Sequence, residues 1–292
     1  MRVARWLCVA HFAFREAAAA PAAMLLNLAA ASATLVLPML QFQRFSEDGR
    51  LPRDCALATL FLFGLALCLG GAGRIHGTLR SGTAALAFVK PIGRGSWLWA
   101  QWLGTLLGLG LFCCTQAPAI LLAEACSPRY HTTGAFADVP TLLLAQGALA
   151  VALMLAALGN RFWAARFAWT ANGLLPLLLW GLLLVRLPAG SIHWGTLTAL
   201  PALLMFLAQA AALAAALAVA VGPGLTAAIT VGAVLCCQVF LGASAYLPFD
   251  ALSSAGPGAV PLRALLMLVP QSLCVAWLCL LGGTMRLEKE VL

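Results

Sequence analysis

Residues 197–221 read LTALPALLMFLAQAAALAAALAVAV, a run of 25 without one charged side chain. About 20 apolar residues carry an α-helix across the hydrocarbon core of a bilayer. A helix on the surface of a soluble domain would keep one polar face, and this run has none. Working outward from it, comparable runs fill most of the chain: Ala22–Leu40, Cys55–Gly73, Leu98–Ala123, Thr141–Leu158, Ala168–Leu187, Leu225–Leu247 and Leu262–Met285. Together they predict an all-α, polytopic transmembrane bundle of eight spans. Gly222-Pro223-Gly224 separates two of the runs so tightly that a re-entrant hairpin, leaving six spans, is the alternative. Pro38, Pro118, Pro176, Pro201 and Pro270 do not veto the spans, because neighbouring helices can satisfy the backbone groups that proline frees.

Composition agrees with this. Of 292 residues, 63% are hydrophobic and 9% charged, where a soluble domain carries roughly 25% charged residues; the mean hydropathy is +0.98. Residues 1–292 read as one membrane domain, with no repeat and no Pro- or Ser-rich linker. Met1 to Arg15 is basic and precedes an apolar run, but that run is too long for a signal peptide's h-region and lacks a small-x-small cleavage site. It is expected to stay as the first helix.

Charge sets the expected orientation. With the N-terminus inside, the inner set is Arg2, Arg5, Arg15, Arg74, Arg80, Lys90, Arg94, Arg161, Arg166, Arg286 and Lys289 against Glu16, Glu288 and Glu290, a net of +8. The outer set is Arg44, Arg50, Arg53, Arg129, Arg186 and Arg263 against Glu47, Asp48, Asp54, Glu124, Asp138 and Asp250, a net of zero. The whole excess falls on one side, as the positive-inside rule requires. Both termini are therefore expected in the cytoplasm, in a multi-pass protein of the inner (plasma) membrane, and the basic charge needs no nucleic-acid partner.

Little in the chain suggests chemistry of its own. The ten cysteines, with pairs at Cys113–Cys114 and Cys236–Cys237, form no CxxC and mostly sit in apolar runs, where cysteine is a small hydrophobe. His11, His76, His131 and His193 fall in predicted loops or flanks without HExxH or paired spacing. The middle of every predicted span lacks ionisable residues, which argues against a proton-coupled carrier. Ser244 lacks a GxSxG elbow. No GxxxxGK[ST] occurs and the only lysines are Lys90 and Lys289, so ATP cannot be hydrolysed here by P-loop chemistry. No catalytic residue, cofactor or metal site is expected.

The informative stretch is the predicted inner loop 74–97, RIHGTLRSGTAALAFVKPIGRGSW. Leu79, Leu86 and Val89, with Thr83 between, recur at three- and four-residue spacing, which suits one face of a short interfacial helix. Pro91 biases Lys90 out of the helical region and should end it. Trp97, Trp99 and Trp102 are expected to anchor the next span at the headgroups. Gly104 and Gly108 form a GxxxG that permits close helix approach, within the chain or in a dimer.

This loop resembles the coupling segment of ABC-2 type permeases, the membrane subunits of many bacterial exporters. The matching positions are Gly82-Thr83, Leu86, Pro91-Ile92 and Arg94, between the second and third spans as in that family. Two positions depart from its pattern: Thr78, Arg80 and Ser81 stand where an acidic residue is usual, and Gln101 where a lysine often enters the third span. The resemblance implies an exporter permease working with a cytosolic ABC ATPase subunit, a second permease copy or paralogue, and membrane lipid. Arg80, Thr83, Leu86, Lys90 and Arg94 would couple to the ATPase, with Gly82 and Pro91 shaping the loop. An ATP-independent carrier or a membrane assembly subunit is the alternative.

Overall fold

A computed structural model describes residues 2–39, 50–84, 93–126, 129–131, 134–136, 138–186, 197, 199–240 and 262–290. Within them the chain is helical: α1 (Arg2–Ala19), α2 (Pro21–Val36), a 3-10 turn (Leu37–Met39), α3 (Arg50–Arg80), α4 (Arg94–Cys126), α5 (Val139–Trp163), α6 (Phe167–Arg186), α7 (Ala199–Ala220), α8 (Pro223–Phe240) and α9 (Leu262–Glu290). Between α4 and α5 a small antiparallel hairpin pairs β1 (Arg129–His131) with β2 (Gly134–Phe136), Tyr130 opposite Ala135. The all-α expectation did not include it.

Among the described residues five helices are long and apolar enough to cross a membrane: Cys55–Arg80, Arg94–Cys126, Val139–Trp163, Phe167–Arg186 and Leu200–Ala220. A sixth is formed if α1 and α2, bent by 60° at their junction, count as one broken span. The bend has a local cause. Proline disfavours the helical region for the residue before it, and Ala20 is extended, with φ −68° and ψ 126°. Pro21 then opens α2, where its missing N–H is no loss. The first span was expected to start at Ala22, after a basic segment; that segment is itself a helix, packed against α4 and α6.

The alanine-rich α7 sits in the interior of the bundle. Ala210, Ala211, Ala212, Ala214, Ala215 and Ala218 are all buried, with Leu203 and Leu207. α3, α4 and α9 pack around it. Small side chains let helix backbones approach closely, the usual interface in lipid. Gly283 of α9 shows how closely: a Cβ there would lie 3.0 Å from Ala216 Cα and 3.0 Å from Leu98. A second core joins α2, α4, α5 and α6 through Leu35, Leu122, Leu149, Leu175 and Leu179. On its outer side α5 exposes Leu143, Met154, Phe162 and Trp163.

The GxxxG is used inside the chain. Gly104 lies against Ala13, and Gly108 against Ala17, so α1 rides on α4 through two small-residue pairs. Pro118 interrupts α4 and removes the N–H that would bond the Cys114 carbonyl. Trp180 of α6 supplies the missing donor, Nε1 to Cys114 O at 3.1 Å.

Candidate functional site

Two places carry polar groups that helix packing does not require: the connection from α3 to α4, and a cleft at the α1–α2 break.

The expected loop 74–97 is shorter than its sequence suggests, because α3 stays helical through Arg80. A turn ends it there. Ser81 N–H bonds Gly77 O (2.9 Å), Gly82 N–H bonds Leu79 O (3.2 Å), and Gly82 has φ +71°. That left-handed conformation is open to glycine and strained for most other residues. Thr83 Oγ1 donates to Thr78 O (3.2 Å) and lies 2.9 Å from Ser81 Oγ. Arg80, Ser81, Gly82 and Thr83 are all exposed. Leu86, Val89, Lys90 and Pro91 lie outside the described residues. Arg94 opens α4 and its Nη1 donates to Glu288 O (3.3 Å), close to the C-terminal end of α9, where free carbonyls favour a cation. The structure thus ties Arg94 to the C-terminal helix and leaves the 80–83 turn facing outward.

Two of the three tryptophans do not sit as headgroup anchors. Trp97 and Trp102 are 3% and 7% exposed, inside the bundle. Trp102 Nε1 donates to Ala208 O of α7 (3.1 Å) and its ring meets Trp99 edge-on at 5.6 Å. An indole is amphipathic, so a buried backbone carbonyl satisfies it as well as an interface does.

His76, expected in the loop, lies on α3. Its Nδ1 is 3.1 Å from Ala218 O, near the C-terminal end of α7, which places the donating proton on Nδ1.

The cleft is built by the α1–α2 break. The break frees the Ala18 carbonyl, and in a membrane such a group must find a partner within the protein. Asn172 of α6 provides one, Nδ2 to Ala18 O at 2.7 Å. Asn172 Oδ1 accepts from Asn27 Nδ2 (3.1 Å), which also approaches Thr115 Oγ1 (3.2 Å). Gln116 Nε2 donates to both Asn27 O and Asn27 Oδ1, each at 3.2 Å. Gln116 Oε1 stays buried without a hydrogen-bond partner among the described residues. Asn27 and Asn172 are each 3% exposed.

Beside this network a cleft of about 30 Å³ is lined by Ala17, Asn27, Leu67, Arg74, Thr105 and Asn172, among others. That is room for one or two waters. Arg74 is the finding that the sequence misplaced. It was expected in a loop, yet it stands on α3 within the helix long enough to span a membrane, six residues before the Arg80 end. Its side chain lines the cleft, and Glu16 of α1 is within electrostatic reach. The second span was expected to end at Gly73, which put Arg74 in the loop; the helix instead runs on to Arg80. A lone helical arginine gives little hydropathy signal; its spacing of seven from Leu67, on one face of α3, was the available clue.

Among the described residues no three His, Cys, Asp or Glu side chains converge to hold a metal ion. No family model, curated protein or solved structure matches the chain.

Proposed function

We propose that the chain is the membrane-spanning permease subunit of an ABC-2 type exporter, driven by ATP hydrolysed in a separate cytosolic subunit. The carrying observation is the connection after α3. It presents Arg80, Gly82 and Thr83 outward on a fixed turn and continues into the Pro91-Ile92-Gly93-Arg94 pattern that resembles the family's coupling segment. A helical membrane bundle without a phosphate-binding loop fits a subunit that receives work from a partner. In this reading eight spans cross the plasma membrane, both termini are cytoplasmic, and two permeases join two ATPases.

The test is reconstitution with a P-loop ATPase. The pure chain should hydrolyse no ATP, and hydrolysis should appear with the partner. Truncating a buried anchor costs more than about 1 kcal/mol in most interfaces. Leu86→Ala and Gly82→Leu should therefore weaken ATPase retention or uncouple hydrolysis from transport, while Arg94→Ala does less. Three variants that retain the ATPase and transport like the parent would reduce the segment to a basic, lipid-facing connection. Topology is tested with single cysteines in a Cys-free chain: Ser81 and Arg161 should react from the inside, Ser46 and Thr133 from the outside. Labelling of Gly222 from the inside supports eight spans, and from the outside six.

One observation favours the second reading, an ATP-independent carrier: an arginine lining a cleft between the helices is the kind of group such carriers use. Transport in liposomes driven by an ion gradient alone would select it.

A further inference from the structure

We infer that the cleft at the α1–α2 break is a binding site for the anionic headgroup, a carboxylate or phosphate monoester, of a single-chain amphiphile entering from the bilayer. The inference stands apart from ATP coupling, since it concerns binding to the chain itself.

Two features of the cleft favour an anion, and a third fixes its polar wall. First, Arg74 lines it and forms no hydrogen bond with the described residues; Glu16 acts on it only through charge. A guanidinium keeps its charge at any accessible pH and offers a fork of donors matched to carboxylate and phosphate. An arginine near a helix end can snorkel to the headgroups, but this one turns into the bundle. Second, α2 begins at the cleft with Pro21 and an N-cap, Ala20, that offers no side-chain acceptor. Met24 makes the first bond back to Ala20 O (3.2 Å), and Ala23 is part of the lining. The free N–H groups that α2 offers here are those of Ala22 and Ala23, and of the α1 carbonyls at the same break that of Ala18 is already taken by Asn172. Discontinuous helices in membrane carriers present half-helix N-termini to anionic groups in this way. Third, Asn27 and Asn172 are held rigid by their bonds to each other, to Thr115 and to Ala18 O, so the polar wall is set before any ligand arrives.

Size and surroundings narrow the class. A space of about 30 Å³ suits one small charged group and excludes a folded sugar or a nucleotide. Leu67, Leu109, Leu111 and Phe112 complete the wall, a poor one for a free hydrated ion, so the headgroup alone would enter the cleft and the alkyl chain would stay in the bilayer.

The experiment measures binding to the purified full chain in a neutral detergent, with dodecanoate, dodecyl phosphate, uncharged dodecanol and inorganic phosphate as probes. Dodecanoate and dodecyl phosphate should bind about tenfold or more tightly than dodecanol, a preference resting on charge-assisted hydrogen bonds. Arg74→Gln should abolish that preference, and Arg74→Lys should retain part of it. Glu16→Gln removes the carboxylate that competes for Arg74, so anionic probes should bind more tightly and dodecanol unchanged. That gain of affinity cannot come from a damaged fold, and it decides the matter if Arg74→Gln fails to fold. Equal affinity for dodecanoate and dodecanol would overturn the inference. So would an anion preference that both Arg74→Gln and Glu16→Gln leave intact. Displacement of dodecanoate by inorganic phosphate at comparable concentration would assign the site to a free anion and overturn the amphiphile.

Discussion

Replacing Gly104 with alanine tests whether α1 belongs to the bundle. A Cβ at Gly104 would stand 2.5 Å from Ala13 Cβ, 2.8 Å from Ala13 C and 2.8 Å from Phe14 N. Carbon atoms in contact rest at about 3.5–4.0 Å, so α1 and α4 would have to part by about 1 Å. Two of the three obstructing atoms are backbone, which no rotamer change can move. Overpacking of this kind costs about 1–3 kcal/mol, and the backbone contacts place it near the upper end. Gly108 provides a control within the same motif, because its added Cβ would meet Ala17 Cβ at an ordinary 3.5 Å. Gly108→Ala should be neutral or slightly stabilising, since alanine is favoured over glycine in a helix by about 1 kcal/mol. Ala13→Gly in the Gly104→Ala background should restore part of the loss but not all, as the backbone contacts remain. Thermal unfolding of the detergent-purified protein, followed with size-exclusion chromatography, reads both stability and assembly. On the scale of soluble chains about 2–4 °C is lost per kcal/mol, so Gly104→Ala should melt several degrees below Gly108→Ala. Equal melting temperatures would refute the packing of α1 on α4. An altered oligomeric state with unchanged melting would assign the GxxxG to a contact between chains instead.

Trp180→Phe keeps the ring but removes the donor to Cys114 O, leaving a carbonyl at a proline break unpaired; it should cost about 1–3 kcal/mol and lower the melting temperature, whereas Trp180→His would restore part of it. Ala164 ends α5 in the left-handed region at φ 51° with no glycine, a conformation that costs an L-residue roughly 1–2 kcal/mol. Ala164→Gly should therefore raise the melting temperature, by an amount that the flexibility of glycine in the unfolded chain reduces. Asp138 caps α5, accepting from Thr141 N–H (3.1 Å) and from its hydroxyl, and these bonds, aided by Arg186, hold its carboxyl below the usual 3.8. Because the folded value is the lower one, the cap's contribution is present above pH 3.8 and fades as pH falls through the folded value. Asp138→Ala should speed amide exchange at Thr141 and Leu142 at neutral pH, with a cost of about 1 kcal/mol, and the difference from the parent should vanish in strong acid.

Hydropathy located the helices well where lipid or apolar neighbours surround them, and less well where a polar residue faces the bundle. α3 was expected to stop at Gly73 because Arg74 and His76 follow. The helix continues because Arg74 has a cleft and His76 has the Ala218 carbonyl. A transfer scale scores a side chain against lipid and is blind to a partner on the next helix. The same blindness placed Trp97 and Trp102 at the headgroups, since an indole seeking one acceptor reads alike in both settings. At the N-terminus the basic residues outweighed the signal that mattered: Ala13 and Ala17 at a four-residue spacing that matches Gly104 and Gly108, and then Pro21. The spacing of Leu79, Thr83, Leu86 and Val89 predicts one short helix, but Gly82 at φ +71° ends α3 in a turn instead, and α4 starts at Arg94, four residues before the expected Leu98. The network of Asn27, Gln116 and Asn172 was not legible, because its members are separated by 89 and 145 residues in the chain and nothing local links them.

The two interruptions in the bundle share one solution, and that fixes one wall of the cleft. Pro21 breaks the first span and Pro118 interrupts α4; the carbonyls they leave, Ala18 and Cys114, are both answered from α6, by Asn172 and Trp180. Beside these donors on α6 runs an apolar stripe, Leu175, Leu179 and Leu183, each fully buried against α2, α4 and α5. Helical residues turn by about 100° each, so a slip of α6 by one residue would swing both donors away together and expose the stripe. Two orphaned carbonyls at membrane depth cost several kcal/mol apiece, with the loss of the leucine core on top. Register on α6 is therefore tightly set. On the other side of the cleft Arg74 hangs from α3 without a hydrogen bond to the described residues, while α1 is tied to the same α6 through the Ala18 carbonyl.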